Sequence, residues 1–202
     1  MSFLTAKHNK SKTTMKNAFH HHLSIFLLAC LLPMTLMAAT PLKVGDKAPD
    51  FTLTTLDHQT VRLSDLTPKG KTVLIVLRGW PGYQCPFCTQ QVHDYIKSAS
   101  EFTRSHARVV MVYPGPADDL IAHANEFLNN KDWPKDFTFV IDPAFNMVNA
   151  YGLRWDAPKE TSYPSTFILD QKGIVRFAKI GRSHSDRTKA ADIVDEVDCM
   201  HD

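Results

Sequence analysis

Residues 71–91, "KTVLIVLRGWPGYQCPFCTQQ", pass from one kind of secondary structure to another within a few residues. Thr72–Leu77 is a near-continuous apolar run rich in β-branched residues, the composition of a strand buried on both faces. Pro86 lacks a backbone N–H and carries a φ preset for a helix, so it suits a first helical position. Val92, Tyr95, Ile96, Ala99 and Phe102 follow at helical spacing, which predicts one helix from about Pro86 to Arg104. Cys85 then falls at the N-cap and Cys88 in the first turn. Unsatisfied N–H groups and the positive end of the helix dipole favour thiolate there. The same argument makes the N-cap sulfur of Cys85 the more exposed and the better nucleophile.

Working outward, the pattern is that of an α/β protein. Thr40–Leu66 alternates apolar positions at Phe51 and Leu53, turns around Asp57 and His58, and alternates again at Val61 and Leu63, an N-terminal β-hairpin. "ARVVMVYPG" and "DFTFVIDP" read as further strands, separated by a helix carrying Leu120, Ile121, Ala124, Phe127 and Leu128. A short helix from Phe145 to Tyr151 precedes two strands joined by a turn at Asp170–Gly173, and Ala190, Ile193, Val194 and Val197 mark a last helix. Alternating strands and helices with an antiparallel end predict a mixed central sheet covered on both faces.

Positions three apart in a first helical turn bring two sulfurs close enough to join, so Cys85 and Cys88 can cycle between dithiol and disulfide. A permanent staple is the weaker reading, because so short a loop removes little unfolded-state entropy. A metal site is the sharper rival. Cys-X-X-Cys is half of a zinc site, but no second half follows at finger spacing, so His93 or His184 would have to complete a copper or zinc centre.

The 202 residues suit one domain with a proper core, and 44% hydrophobic with 22% charged residues is a soluble globular composition. The first 39 residues differ: four lysines and no acid, an apolar run from Leu23 to Met37, then Ala38 and Ala39. They read as a secretory signal cleaved after Ala39, with Met15 as an alternative start of more ordinary proportions. A run of about 15 residues broken by Pro33 is shorter than the roughly 20 of a spanning helix. Cys30 as a lipid-attachment site is disfavoured because the apolar run continues past it. The formal charge of +2 belongs to this segment; residues 40–202 carry a net charge of −2, with no basic cluster for nucleic acid or an anionic membrane. Three cysteines remain there, Cys85, Cys88 and Cys199, an odd count in an oxidising compartment.

"VGDKAPDFTLTTLDHQTVRLSDL", "TVLIVLRGWPGYQCPFC" and "YPSTFILDQKGIVRF" together resemble the thioredoxin-like alkyl hydroperoxide reductase and thiol-specific antioxidant family, the peroxiredoxin-like redoxins. The resemblance implies a thioredoxin-like fold with an added N-terminal hairpin, and a thiol oxidoreductase that needs no cofactor beyond its own disulfide. Its partners would be a peroxide or disulfide substrate and a protein or small-thiol reductant. In the family frame Pro-X-X-X-Thr/Ser-X-X-Cys, Pro81 and Cys88 fit, with Cys85 replacing the hydroxyl residue, which makes Cys88 the peroxidatic thiol. In thioredoxin-like exchangers the first cysteine, Cys85, attacks instead. Pro164 resembles the family's cis-proline and takes the place near which the peroxide-polarising arginine is usually found. Arg78 could supply that charge, with Arg154 a weaker candidate. Trp80, Pro81, Tyr83 and Phe87 would flank the cysteines as a contact rim, and Cys199, near a terminus, is read as a bystander thiol or a resolving partner.

Overall fold

The burial pattern of Lys71–Val76 shows why a strand forms there: after half-buried Lys71 every residue is buried, and alternate side chains enter two separate cores. In this computed structural model residues 1–2 and 39–200 are described. Met15, Cys30 and the apolar run of the expected signal lie outside them.

The described elements run β1 (Thr52–Thr54), β2 (Thr60–Arg62), α1 (Leu63–Leu66) with a 3₁₀ turn at Thr67–Lys69, β3 (Lys71–Val76), α2 (Pro86–Lys97), α3 (Ala99–Arg104) and β4 (Ala107–Gly115). Then come α4 (Leu120–Leu128), β5 (Phe137–Pro143), α5 (Asn146–Ala150), β6 (Ser165–Leu169), β7 (Val175–Ile180) and α6 (Ala190–Cys199). The seven strands form one sheet in the order β2-β1-β5-β4-β3-β6-β7. β3, β4 and β5 are parallel; β6 pairs antiparallel with β3 and β7 with β6, while the β1–β2 hairpin joins β5 antiparallel. This is the mixed, thioredoxin-like sheet expected.

On one face Val73, Ile75 and Leu77 pack with Val92, Tyr95, Phe102, Ala124, Phe127, Ile193 and Val197 from the helices, and both Cys85 and Cys88 belong to this cluster. On the other, Leu74 and Val76 meet Leu63, Met147, Val148 and Tyr151. The dithiol is thus part of a core.

The single helix expected over 86–104 is two. Ser98 leaves helical geometry at φ −92°, ψ 11°, and its N–H is shared between the carbonyls of Asp94 and Tyr95. The bend lets Phe102 stack on Tyr95 at 5.4 Å while meeting Phe137 edge-on, so packing of the second segment overrides the continuous helical pattern. Helix α5, five residues long, holds because buried Asp142 accepts hydrogen bonds from the N–H groups of Met147 (3.1 Å) and Val148 (2.9 Å). These are donors a helix start leaves unpaired.

Beyond β3 the chain must turn sharply toward α2, and Gly79 makes this possible. Its φ is +65°, and a Cβ there would fall 1.8 Å from the carbonyl oxygen of Pro114. Gly79→Ala therefore combines left-handed strain with a backbone clash, and we expect it to destabilise the fold by more than about 1 kcal/mol. Chemical denaturation of the two proteins measures this, and equal midpoints would refute it.

Candidate active site

The loop from Arg78 to Cys85 is held on two sides. Toward α4, Trp80 stacks on His123 at 3.6 Å, the Trp80 N–H donates to the Pro114 carbonyl, and the Gln84 amide donates to the His123 carbonyl (2.8 Å) while accepting from the Tyr113 hydroxyl (2.9 Å). Toward the 154–163 loop, Ser162 Oγ donates to the Leu77 carbonyl (2.8 Å) and Thr161 Oγ1 to that of Arg78. Pro81 is half-buried within this loop.

Arg78 has no exposure to water, and its guanidinium is fully engaged: Nε with Glu160 (2.6 Å), Nη1 with the Tyr83 hydroxyl (2.8 Å) and Nη2 with the Lys159 carbonyl (2.6 Å). Burial works against its charge, but the hydrogen bonds to Glu160, Tyr83 and Cys85 prevail and raise its pKa. The other oxygen of Glu160 meets His184 Nε2 at 2.9 Å. Burial likewise opposes the Glu160 charge, and Arg78 and His184 outweigh it, keeping the carboxyl below its usual range.

A second arginine, which the sequence reading did not single out, faces the sulfurs. Arg187 Nη2 lies 3.4 Å from Cys88 Sγ and 3.9 Å from Cys85 Sγ. Its Nη1 donates to Gln91 (2.7 Å) and its Nε to the His184 carbonyl (2.7 Å). Arg187 sits in "GRSHSDRTK", a polar stretch ahead of a helix, and nothing in its pattern separates it from a solvated loop. Glu160, in the aperiodic stretch "LRWDAPKETSYP", is equally silent.

The two cysteines differ in charge. The Cys88 thiol donates to Cys85; burial opposes the resulting anion, while the Cys88 backbone N–H, Arg187 and Arg78 favour it, and the Cys85 pKa falls from 9.0 to about 5. Burial pushes the Cys88 thiol well above its ordinary value, and the neighbouring Cys85 adds to the rise. Cys85 is therefore a thiolate and Cys88 a thiol at neutral pH. The expected exposure of Cys85 is not found: it is 1% exposed and Cys88 0%, because both side chains pack into the apolar cluster between α2 and the sheet. Tyr83 and Phe87 form the exposed rim, at 41% and 40%.

Pro164 lies at the same sheet edge, just before β6, where Ser165 pairs with Val76. Its bond to Tyr163 is trans, not the cis bond expected, and its carbonyl accepts from Gly181 N–H at 2.8 Å, continuing the β6–β7 ladder. Arg154 does not face the sulfurs. Its guanidinium binds the carbonyls of Trp155, Glu160 and Thr161 and covers the Phe145 ring, shaping the loop that carries Glu160.

Cys199 is exposed at the far end of α6, where Lys71 Nζ closes the helix through the Val197 and Met200 carbonyls. Lys71 begins β3 and Arg78 follows its end, so the sheet separates Cys199 from the pair by roughly 20 Å. Among the described residues no group of three or more His, Cys, Asp or Glu is placed to hold a metal ion. The cations that face Cys85 are arginines, and His184 is engaged with Glu160.

Residues 44–178 match the AhpC/TSA family model. The chain is 29% identical over 133 residues to rice (Oryza sativa subsp. japonica) peroxiredoxin Q, covering 66% of this chain and 57% of the rice protein's length. It is 32% identical over 137 residues to the thioredoxin-like protein YneN of Bacillus subtilis, with 68% and 71% covered. The solved peroxidoxin BcpB of Mycobacterium tuberculosis superposes with a TM-score of 0.62 at 21% identity, over 80% of this chain and 99% of that one. With the paired cysteines at the start of α2 and the mixed sheet behind them, the chain belongs to the AhpC/TSA family of peroxiredoxin-like, thioredoxin-fold proteins.

Proposed function

We propose that this protein is a thiol peroxidase in which Cys85 is the nucleophile and Cys88 the resolving thiol. The observation that carries the reading is the unequal pair: a Cys85 thiolate bordered by Arg187 and Arg78, beside a protonated Cys88. The Cys85 thiolate attacks one oxygen of the peroxide, the O–O bond breaks, and the departing hydroxide takes a proton to leave as water. Cys85 is then a sulfenic acid. Its charge no longer opposes ionisation of Cys88, whose thiolate attacks the Cys85 sulfur, expels a second water after proton transfer and closes the disulfide. Two external thiol groups supply the two electrons that reopen it: the first forms a mixed disulfide with one cysteine and the second displaces it, leaving the dithiol and an oxidised external disulfide. The burial of both sulfurs supports a peroxide, since a two-oxygen molecule reaches a site that a protein disulfide cannot enter as it stands.

Cys85 is taken as the nucleophile, whereas the family frame aligns Cys88 with the peroxidatic thiol. Disulfide exchange through the same Cys85 is a second reading, favoured by the exposed Tyr83 and Phe87 on either side of the pair, a surface a protein partner could cover. The lysines, the apolar run from Leu23 to Met37 and Ala38-Ala39 support a periplasmic or secreted location. Among the described residues no helix is long and apolar enough to cross a membrane. Protein recovered from an expressing cell's exported fraction should begin at Thr40 by N-terminal sequencing; a chain retaining residues before Leu23 would refute cleavage.

Mixing reduced protein with stoichiometric hydrogen peroxide should consume thiol far faster than a small model thiol does at the same pH. Cys85→Ser should abolish the fast phase, whereas Cys88→Ser should keep it and accumulate sulfenic acid. A wild-type rate no greater than the model thiol's would end the peroxide reading and leave disulfide exchange.

The thiolate also links stability to pH. Between about pH 5 and 9 the unfolded chain holds a proton on Cys85 that the folded chain does not, so stability rises with pH across that window. Below it the contribution is lost. Above it the raised Cys88 acts with the opposite sign. Thermal unfolding of the reduced protein should show a Tm climbing from pH 5 toward 9 that Cys85→Ser flattens; equal slopes would place the thiolate elsewhere.

A further inference from the structure

Residues 181–189, between β7 and α6, carry Arg187 to the dithiol. The ends of this segment are tied to the sheet and to α2. Gly181 N–H donates to the Pro164 carbonyl (2.8 Å), Thr188 Oγ1 meets the Tyr95 hydroxyl (2.7 Å) and Thr166 Oγ1 (2.9 Å), and Ala190 N–H donates to Asp94 (2.7 Å). The middle turns back on itself: Asp186 accepts from Arg182 N–H and pairs with Lys179 at the end of β7, and the Ser183 and Ser185 hydroxyls meet. Among the described residues, one side-chain bond joins residues 182–187 to the 154–163 loop. It runs from His184 Nε2 to Glu160 Oε1, at 2.9 Å.

His184 makes two contacts of different kinds. Glu160 is ionised at neutral pH and can only accept, so Nε2 carries the hydrogen and donates it. The ring also lies 5.3 Å from that of Trp155, itself stacked on Tyr163 at 4.7 Å. The carbonyl of the same residue accepts from Arg187 Nε at 2.7 Å, and Nη2 of that guanidinium reaches Cys88 Sγ at 3.4 Å and Cys85 Sγ at 3.9 Å. Arg187 has one further partner, neutral Gln91 on α2. Arg78, by contrast, is held directly by Glu160, Tyr83 and the Lys159 carbonyl. Loss of the His184 ring therefore bears on one of the two arginines beside the thiolate and leaves the other in place.

We propose that His184 is a positioning residue for the dithiol: its imidazole, fixed by Glu160 and Trp155, sets the carbonyl that aims Arg187 at the two sulfurs. The inference rests on the reading of Cys85 as the thiolate nucleophile. Facing Cys85 are Cys88 on α2, Arg78 beyond β3, Arg187, and Tyr113 on β4, which burial keeps neutral. Arg187 is the one of these that the imidazole controls.

The test follows the ultraviolet absorbance of the thiolate as reduced protein is titrated, with Cys85→Ser as the blank. His184→Phe keeps a ring beside Trp155 but cannot donate to Glu160, and it should move the Cys85 midpoint up by about 1 pH unit. His184→Gln places an amide N–H where Nε2 lies and should return the midpoint to near its wild-type value. Arg187→Gln should also raise the midpoint, and adding His184→Phe to it should change little further, because the ring acts through that guanidinium. Equal midpoints in the wild type and His184→Phe overturn the role, since Gln91 alone would then aim the arginine. A Phe effect that persists in full without Arg187, or that Gln does not relieve, overturns it too. Circular dichroism checks the fold, and His184→Asn, too short for Glu160, replaces a Phe variant that does not fold. A wild-type protein with no low midpoint beyond the Cys85→Ser blank refutes the thiolate reading and this inference together. The titration contains no peroxide, so a failure to outpace a model thiol with hydrogen peroxide ends the peroxidase reading alone.

Discussion

A guanidinium sealed from water organises this site. Arg78 lies two residues beyond β3, the strand that runs between the two cores, and its charge can persist there only with partners of good geometry. Glu160 supplies the anion and, through its other oxygen, holds His184; the backbone of His184 in turn receives Arg187. One carboxylate on an irregular loop thereby connects the arginine beside Cys85 with the arginine that spans both sulfurs. Rim, loop and C-terminal segment converge because each contributes to satisfying this buried charge.

The electrostatic asymmetry of the dithiol follows from that arrangement together with the start of α2. A helix N-terminus favours thiolate at both positions, yet only one sulfur ionises, because burial holds Cys88 protonated and the neighbouring Cys85 adds to the effect. Depth decides which. Cys88 points wholly into the core beneath α2, while Cys85 at the N-cap accepts from the Cys88 thiol and backbone N–H and lies nearer Arg78. The order in which the two thiols ionise is thus built into the helix start.

Much of the architecture was legible because apolar periodicity and β-branched runs are local records of burial. Thr72–Leu77, Ala107–Gly115 and Phe137–Pro143 announce central strands in their composition, and Pro86 announces a helix start. The break at Ser98 was not legible, since Phe102 keeps helical spacing and only its stacking on Tyr95 and Phe137 reveals the bend. Helix α1 and its support, Asp50 accepting from Ser64, escaped for a similar reason. At the site, the cysteines and Arg78 stand in a recognisable stretch, whereas Glu160 and Arg187 are charged residues in loops whose partners lie some eighty to a hundred positions away. Such pairings leave no periodic trace in a single chain.

Five of the anchoring bonds around the dithiol share a property with a bearing on how this sequence can change. Gln84, Arg78, Thr161, Ser162 and Arg187 each donate to a main-chain carbonyl, those of His123, Lys159, Arg78, Leu77 and His184. A carbonyl is present whatever side chain the residue bears. Drift at Lys159 or His123 therefore leaves the acceptor in place, and only the five donors are exposed to loss by substitution. The loop geometry is buffered on one side of these five bonds, so the sequence can drift at their acceptor residues while keeping the same scaffold.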